Sequence, residues 1–231
     1  MPTDPAPTLA AAALAAQTRA RAAAAALGAL ALGAAGCAAQ KPGLETHVRP
    51  CPPEIAATVT AMGGVSVVSK CMYYDVDGRT AAELRRFMST QGPTDETGTY
   101  DAYTSFALRY GFEDVSGAGG CRTGPVAVEL YLAHILPEWR TEWDAPRDLR
   151  GRWGHFTERL GAHEAGHADI SVRTANELAY KLRRLPVYPT CAALRDAAHE
   201  AFVEVVTMLT TRQRHYDWRT HHGKRQGSVF P

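Results

Sequence analysis

Two histidines stand inside an apolar helical stripe, and that placement constrains the chain more than any other feature. From Trp153 to Ile170 the inward positions are Trp153, Phe156, Leu160, His163, His167 and Ile170. Their spacings alternate between three and four residues, which keeps one face of an α-helix against a core. Leu178 and Leu182 continue the stripe, so a helix is expected from about Trp153 to Leu182. The two imidazoles then sit one turn apart with Cβ atoms roughly 5–6 Å from one another. Both can reach one metal ion.

The local sequence is His163-Glu164-Ala165-Gly166-His167, an HExxH pattern. Two neutral imidazoles suit Zn2+, and a catalytic zinc takes three protein ligands while leaving one position for water. Zinc lowers the pKa of that water towards neutrality. Glu164 is offset by about 100° from His163 on an ideal helix. Its carboxylate can therefore reach the water as general base without being a ligand. Small Ala165 and Gly166 allow another segment or a substrate to come close.

The third ligand does not follow the common extensions of this motif. Six residues past His167 the chain has Arg173 where a third histidine would stand, and about twenty residues past it reads Arg184-Leu185-Pro186-Val187. A second helix is expected from about Cys191 to Arg214, after a turn through Tyr188-Pro189-Thr190. If the two helices form an antiparallel hairpin, residues 208–212 fall opposite the histidines, and the following segment passes over the metal. That segment supplies His222, Asp217, His221 and His215 as candidates.

The region before these helices reads as a small sheet. Val65–Val76 is rich in Val and Tyr and ends at Asp77-Gly78, a strand running into a turn. Thr80 and Glu83 make a capping-box pattern that opens a short helix over Ala81–Met88, stopped at Gln91-Gly92-Pro93. Tyr100–Phe112 and Val126–Leu136 read as strands on either side of a turn at Gly117–Gly120. Strands followed by helices give an α+β class, a single domain over residues 61–231. Val126–Leu136 is a candidate edge strand for pairing with an extended peptide, weighed against an ordinary internal strand. His134 and His155 read as structural.

The N-terminus reads as an export signal. Arg19 and Arg21 precede an uncharged stretch from Ala22 to Gly36, followed by Cys37. A basic region, an apolar region of this length and small residues match a signal peptide, expected over 1–37. Ala34-Ala35-Gly36-Cys37 resembles a lipobox, which would place a lipid anchor on Cys37. Residues 38–60, with Pro42, Pro50, Pro52 and Pro53, are expected as a tether. Cys37 set aside, Cys51, Cys71, Cys121 and Cys191 remain. An even number in an exported chain implies two disulfides with three connectivities, Cys51–Cys71 with Cys121–Cys191 being the first choice. The formal net charge is +1 with scattered basic residues, which gives no basis for binding nucleic acid.

The chain also resembles an uncharacterised bacterial family of predicted secreted zinc-dependent proteases. The resemblance covers most of residues 70–231. It rests on Tyr74-Asp75-Val76-Asp77-Gly78, Gly92-Pro93, Tyr103-Thr104, Cys121, Leu136-Pro137-Glu138-Trp139, the HEAGH segment and Cys191. It ends on Tyr216-Asp217, Thr220, His222-Gly223 and Gln226-Gly227. HEAGH and the Tyr-Asp-x-x-Thr-x-His-Gly string are the specific parts. The resemblance implies a zincin-like fold and makes His222 the favoured third ligand. Asp217 matches the same string and is a ligand or an orienting partner for an imidazole.

The expected function is therefore an exported zinc-dependent metallopeptidase acting on peptides or proteins in the cell envelope. It would be periplasmic, lipid-anchored or secreted. Zn2+ would be held by His163, His167 and His222, with Glu164 as base. Two alternatives remain open: hydrolysis of peptidoglycan cross-links, and a non-catalytic envelope lipoprotein with a structural or vestigial metal site. Tyr216 could donate to a developing oxyanion or simply pack.

Overall fold

A computed structural model describes residues 44–58 and 65–230. The expected signal segment, Cys37 and the start of the expected tether lie outside the described residues. The rest of that tether carries two elements. Strand β1 (Thr46–Arg49) pairs antiparallel with the next strand, and a short helix α1 (Pro53–Thr58) buries Ile55.

Strand β2 (Val65–Val76) has the expected bounds and closes with Val76 and Tyr74 buried. Helix α2 (Ala81–Gln91) opens on the expected capping box. Thr80 Oγ1 accepts from the Glu83 backbone N–H, and the Glu83 carboxylate accepts from the N–H of Thr80. Gly92 ends the helix. A two-residue pair, β3 (Thr94–Asp95) and β4 (Gly98–Thr99), leads into two long strands, β5 (Tyr103–Gly117) and β6 (Gly120–Trp139).

The strand order is β1-β2-β6-β5, with β2 and β6 parallel and the other pairs antiparallel. This corrects one expectation. The segment Val126–Leu136 lies within β6, an interior strand hydrogen-bonded on both sides, so it cannot receive a peptide. Among the described residues the outer strand on that side is β5. The parallel β2–β6 pair is reached by a crossover through α2 and β5, which separates paired residues widely in sequence.

Two long helices follow, α3 (Arg147–Arg183) and α4 (Cys191–Thr220). They form an antiparallel hairpin: Lys181 pairs with Glu204, Arg212 with Glu177, and Asp217 with His163. Helix α4 runs six residues beyond the expected Arg214. Its last turns face α3 through Arg212, Gln213 and Asp217, so no apolar stripe announces them.

The core divides into two clusters along α3. Trp153, Phe156 and Leu160 pack with Trp139, Tyr74, Val76 and Phe230. Further along, Ala168, Val172, Ala175, Leu178 and Leu182 pack against Val128, Leu130 and Leu132 of β6 and Phe202 and Val205 of α4. His163 and His167 lie between the two clusters. In the turn just past His167 the buried residues are Ala168, Ser171 and Val172, and Ile170 is only partly buried.

Both expected disulfides form in the first-choice pairing. Cys51–Cys71 and Cys121–Cys191 have Cα separations of 5.2 and 5.0 Å. The second ties the start of β6 to the start of α4. The result is a single α+β domain with a small sheet and a helical hairpin on it. Among the described residues no helix is long and apolar enough to cross a membrane.

Candidate metal centre

Helix α3 buries His163, Glu164 and His167, each less than a tenth exposed. Helix α4 faces them with Gln213, Tyr216 and Asp217, which fall on one face at i, i+3 and i+4. His163 Nε2 and His167 Nε2 are 3.3 Å apart. Asp217 Oδ1 lies 3.2 Å from the first and 3.0 Å from the second. These three atoms converge on one point, with the two imidazole planes nearly perpendicular.

The outward nitrogens decide the tautomers. His163 Nδ1 is 2.9 Å from Gln226 Oε1, and His167 Nδ1 is 2.6 Å from Gln213 Oε1. The amide of Gln213 is oriented by its own donations to the His167 carbonyl at 3.1 Å and to Ser171 Oγ at 2.9 Å. Gln226 Nε2 donates to Tyr216 Oη at 3.0 Å. Gln213 therefore offers an oxygen, which only accepts, so His167 donates from Nδ1. The Gln226 amide as oriented towards Tyr216 holds His163 in the same tautomer. Their Nε2 lone pairs then face one another and a carboxylate. Three Lewis-basic atoms aimed at one point call for a cation or a proton between them.

Asp217 and His167 perturb each other strongly. Burial alone would push His167 down, but the Asp217 hydrogen bond, with the charges of Glu164 and Asp217, raises it to about 9. Burial would raise Asp217, yet its bonds to both histidines hold it well below the usual carboxylate range.

Close packing of small residues makes the convergence possible. The Tyr216 ring stacks on His163 at 5.0 Å and meets His167 edge-on at 4.9 Å. At Gly166 a Cβ would fall 2.1 Å from Tyr216 Oη, so only glycine lets the tyrosine lie there. Gly223, in the left-handed region at φ 78°, brings its backbone against His163, where a Cβ would come within 3.0 Å of Cγ. Tyr216 is packed, and its hydroxyl lies against the His163 carbonyl and Gln226.

The expected C-terminal candidates are placed unequally. Asp217 is the residue brought between the imidazoles. His222 lies just past the helix end, with its side chain about half exposed and Nδ1 3.6 Å from Asp217 Oδ1. Its ring is 5.4 Å from Tyr100. His221 caps the helix in the left-handed region, and His215 stacks on exposed Trp218 away from the cluster. Because α4 continues to Thr220, Asp217 sits inside it one turn after Gln213, and His222 is carried to the rim.

Glu164 is held from the sheet. Thr104 Oγ1 lies 2.5 Å from Glu164 Oε2 and 2.7 Å from His134 Nδ1. His134 Nε2 lies 3.1 Å from Ser69 Oγ. Burial, with the charge of His167, lowers His134 to about 4. Burial and nearby carboxylates push half-buried Tyr103 up to about 12, so it stays a neutral hydroxyl. No sequence periodicity signals Thr104, Gln213 or His134 as parts of this centre. Only the folded register brings them together.

A family model described as "Bacterial protein of unknown function (DUF922)" matches residues 71–223. The chain belongs to this family. The matched span includes the HEAGH helix, Thr104, His134, Gln213, Asp217 and His222, and stops just short of Gln226. No curated protein and no solved structure matches the chain. The family's description assigns no chemistry, so the centre must be read from its atoms.

Proposed function

We propose that the protein is an exported zinc-dependent metallopeptidase whose metal is held by His163, His167 and Asp217. The carrying observation is the convergence of two imidazole lone pairs and one carboxylate oxygen whose tautomers are fixed by Gln226 and Gln213. A tetrahedral ion with bonds of about 2.0–2.1 Å would place its ligand atoms about 3.3 Å apart. The separations of 3.3, 3.2 and 3.0 Å fit that donor set. Glutamine carbonyls behind the imidazoles serve the orienting role that outer partners have at zinc sites.

Zinc bound there would polarise a water and the scissile carbonyl. Glu164, buried beside His163 on the same helix, takes the proton from the attacking water and returns it to the leaving amine. Tyr216 keeps both imidazoles in place. The side bearing Asp217 and His222 is the more exposed one, which favours three ligands and an open position over a closed structural site. The outer strand β5 carries Thr104, which touches Glu164, and among the described residues no strand pairs with its outer edge. An extended peptide can add to that edge as a further strand. The zincin-like reading of the fold rests on this combination of helix, base and bordering strand.

The basic and apolar N-terminal segment supports export, and the two disulfides suit an oxidising compartment. The test is metal content and proteolysis of wild type beside Glu164→Gln. Both are expected to bind about one zinc per chain, and only wild type to cleave an unfolded protein. Equal cleavage by both would sink the mechanism. Zinc binding with no cleavage of protein or of cross-linked muropeptides would leave the non-catalytic reading.

A further inference from the structure

Thr104, His134 and Ser69 lie on three adjacent strands, β5, β6 and β2. Thr104 and His134 are directly opposite in the β5–β6 register. Ser69 faces Leu132, two positions from His134 along β6. A polar line thus crosses the sheet and ends on Glu164 of α3. His134 has no solvent exposure at all, and a buried polar group is tolerated only when its hydrogen bonds are made.

The directions of these bonds are forced. An ionised carboxylate only accepts, so the single Thr104 proton points to Glu164 Oε2. The Thr104 oxygen must then accept from His134, which therefore carries its proton on Nδ1. His134 Nε2 is left as an acceptor, and Ser69 donates to it. In the opposite tautomer Thr104 would donate to His134, and two oxygens 2.5 Å apart would face each other with no proton between them.

We propose that Ser69, His134 and Thr104 form a one-directional hydrogen-bond chain that positions Glu164. This rests on the peptidase reading and adds positioning residues to it. The chain occupies Oε2, which fixes the carboxylate rotamer and leaves Oε1 as the oxygen that takes the proton. Thr104 and His134 act through Glu164 and do not touch substrate.

Thr104→Val keeps the shape of the side chain and removes the hydroxyl, whereas Thr104→Ser keeps the hydroxyl. In zinc-loaded protein the valine variant is expected to lose about 100-fold in kcat, the scale of a misplaced catalytic group. KM and zinc content should be unchanged, and the serine variant should recover to within about threefold of wild type. Wild-type kcat in Thr104→Val overturns the proposal. A second measurement is independent of activity: isotope-edited NMR of the His134 ring. The Nδ1-protonated tautomer, with an N–H resonance that shifts in Glu164→Gln, supports the chain, and an Nε2-protonated ring overturns it. If wild type cleaves no peptide, the peptidase reading fails, and the tautomer still decides whether the chain exists.

Discussion

Gly166 and Tyr216 are in direct contact across the helical hairpin, with no room for even a methyl group. A Cβ at Gly166 would stand 2.1 Å from the phenol oxygen and 2.4 Å from Cζ. Gly166→Ala must push α4 away from α3 at the point where Asp217 meets both imidazoles. Overpacking of this kind costs about 1–3 kcal/mol. The variant should melt a few degrees lower and bind zinc at least tenfold more weakly, by calorimetry and metal-buffer titration. Wild-type zinc affinity would mean that Tyr216 does not hold the ligands.

How much of this was legible in the sequence follows from where each signal resides. The Thr80–Glu83 box, the bounds of β2 and the inward histidines are local patterns, and the structure keeps them. The α4 terminus past Arg214 is not legible because residues 215–220 carry no apolar stripe; Asp217 there bonds to α3, continuing the inward face of Arg212 and Gln213. The preference for His222 comes from the resemblance alone, and the continued helix puts Asp217 nearer the imidazoles. The chain from Ser69 to Glu164 depends on parallel β2–β6 pairing, which brings residue 69 beside residue 134 with no trace in local periodicity. The interior place of β6 has the same origin.

In the proposed zinc site Asp217 and His222 are the two candidates for the third bond, and substitution separates them. Removing a carboxylate placed between both imidazoles should abolish tight binding, so Asp217→Ala should weaken zinc by more than 100-fold; loss of an orienting partner costs about 10–100-fold. His222→Ala, at an exposed rim position, should change affinity by less than about tenfold on the same scale. Gln213→Leu frees the His167 tautomer and should fall between the two. A larger loss from His222→Ala than from Asp217→Ala would transfer the third bond to His222.

The two disulfides should differ in worth because they close loops of different length, with sequence separations of 20 and 70 residues. On chain-entropy grounds the shorter contributes about 3 kcal/mol and the longer about 4 kcal/mol. Cys191→Ala paired with Cys121→Ala should therefore lower the denaturant midpoint more than the Cys51 and Cys71 double variant. The longer one also joins β6 to the first turn of α4, so its loss should loosen the hairpin that carries Asp217. A larger effect from the shorter loop would place the weak point at α1 and β1 instead.

His134 makes stability depend on pH in a direction fixed by its burial. Its folded pKa is lowered from 6.5 to about 4, first by burial and then by the positive charge of His167. Above pH 6.5 the ring is neutral in both states and contributes no slope. Between pH 6.5 and about 4 the unfolded chain binds a proton that the folded chain refuses, so stability falls as pH falls. A shift of this size corresponds to about 3 kcal/mol, and the loss levels off once the folded ring also protonates. Unfolding free energies measured in denaturant from pH 7.5 down to about 4 should show this slope. His134→Gln should be less stable at neutral pH, because Thr104 and Ser69 lose their partner, and should flatten the acid limb. An unchanged slope in that variant would assign the acid sensitivity to another group.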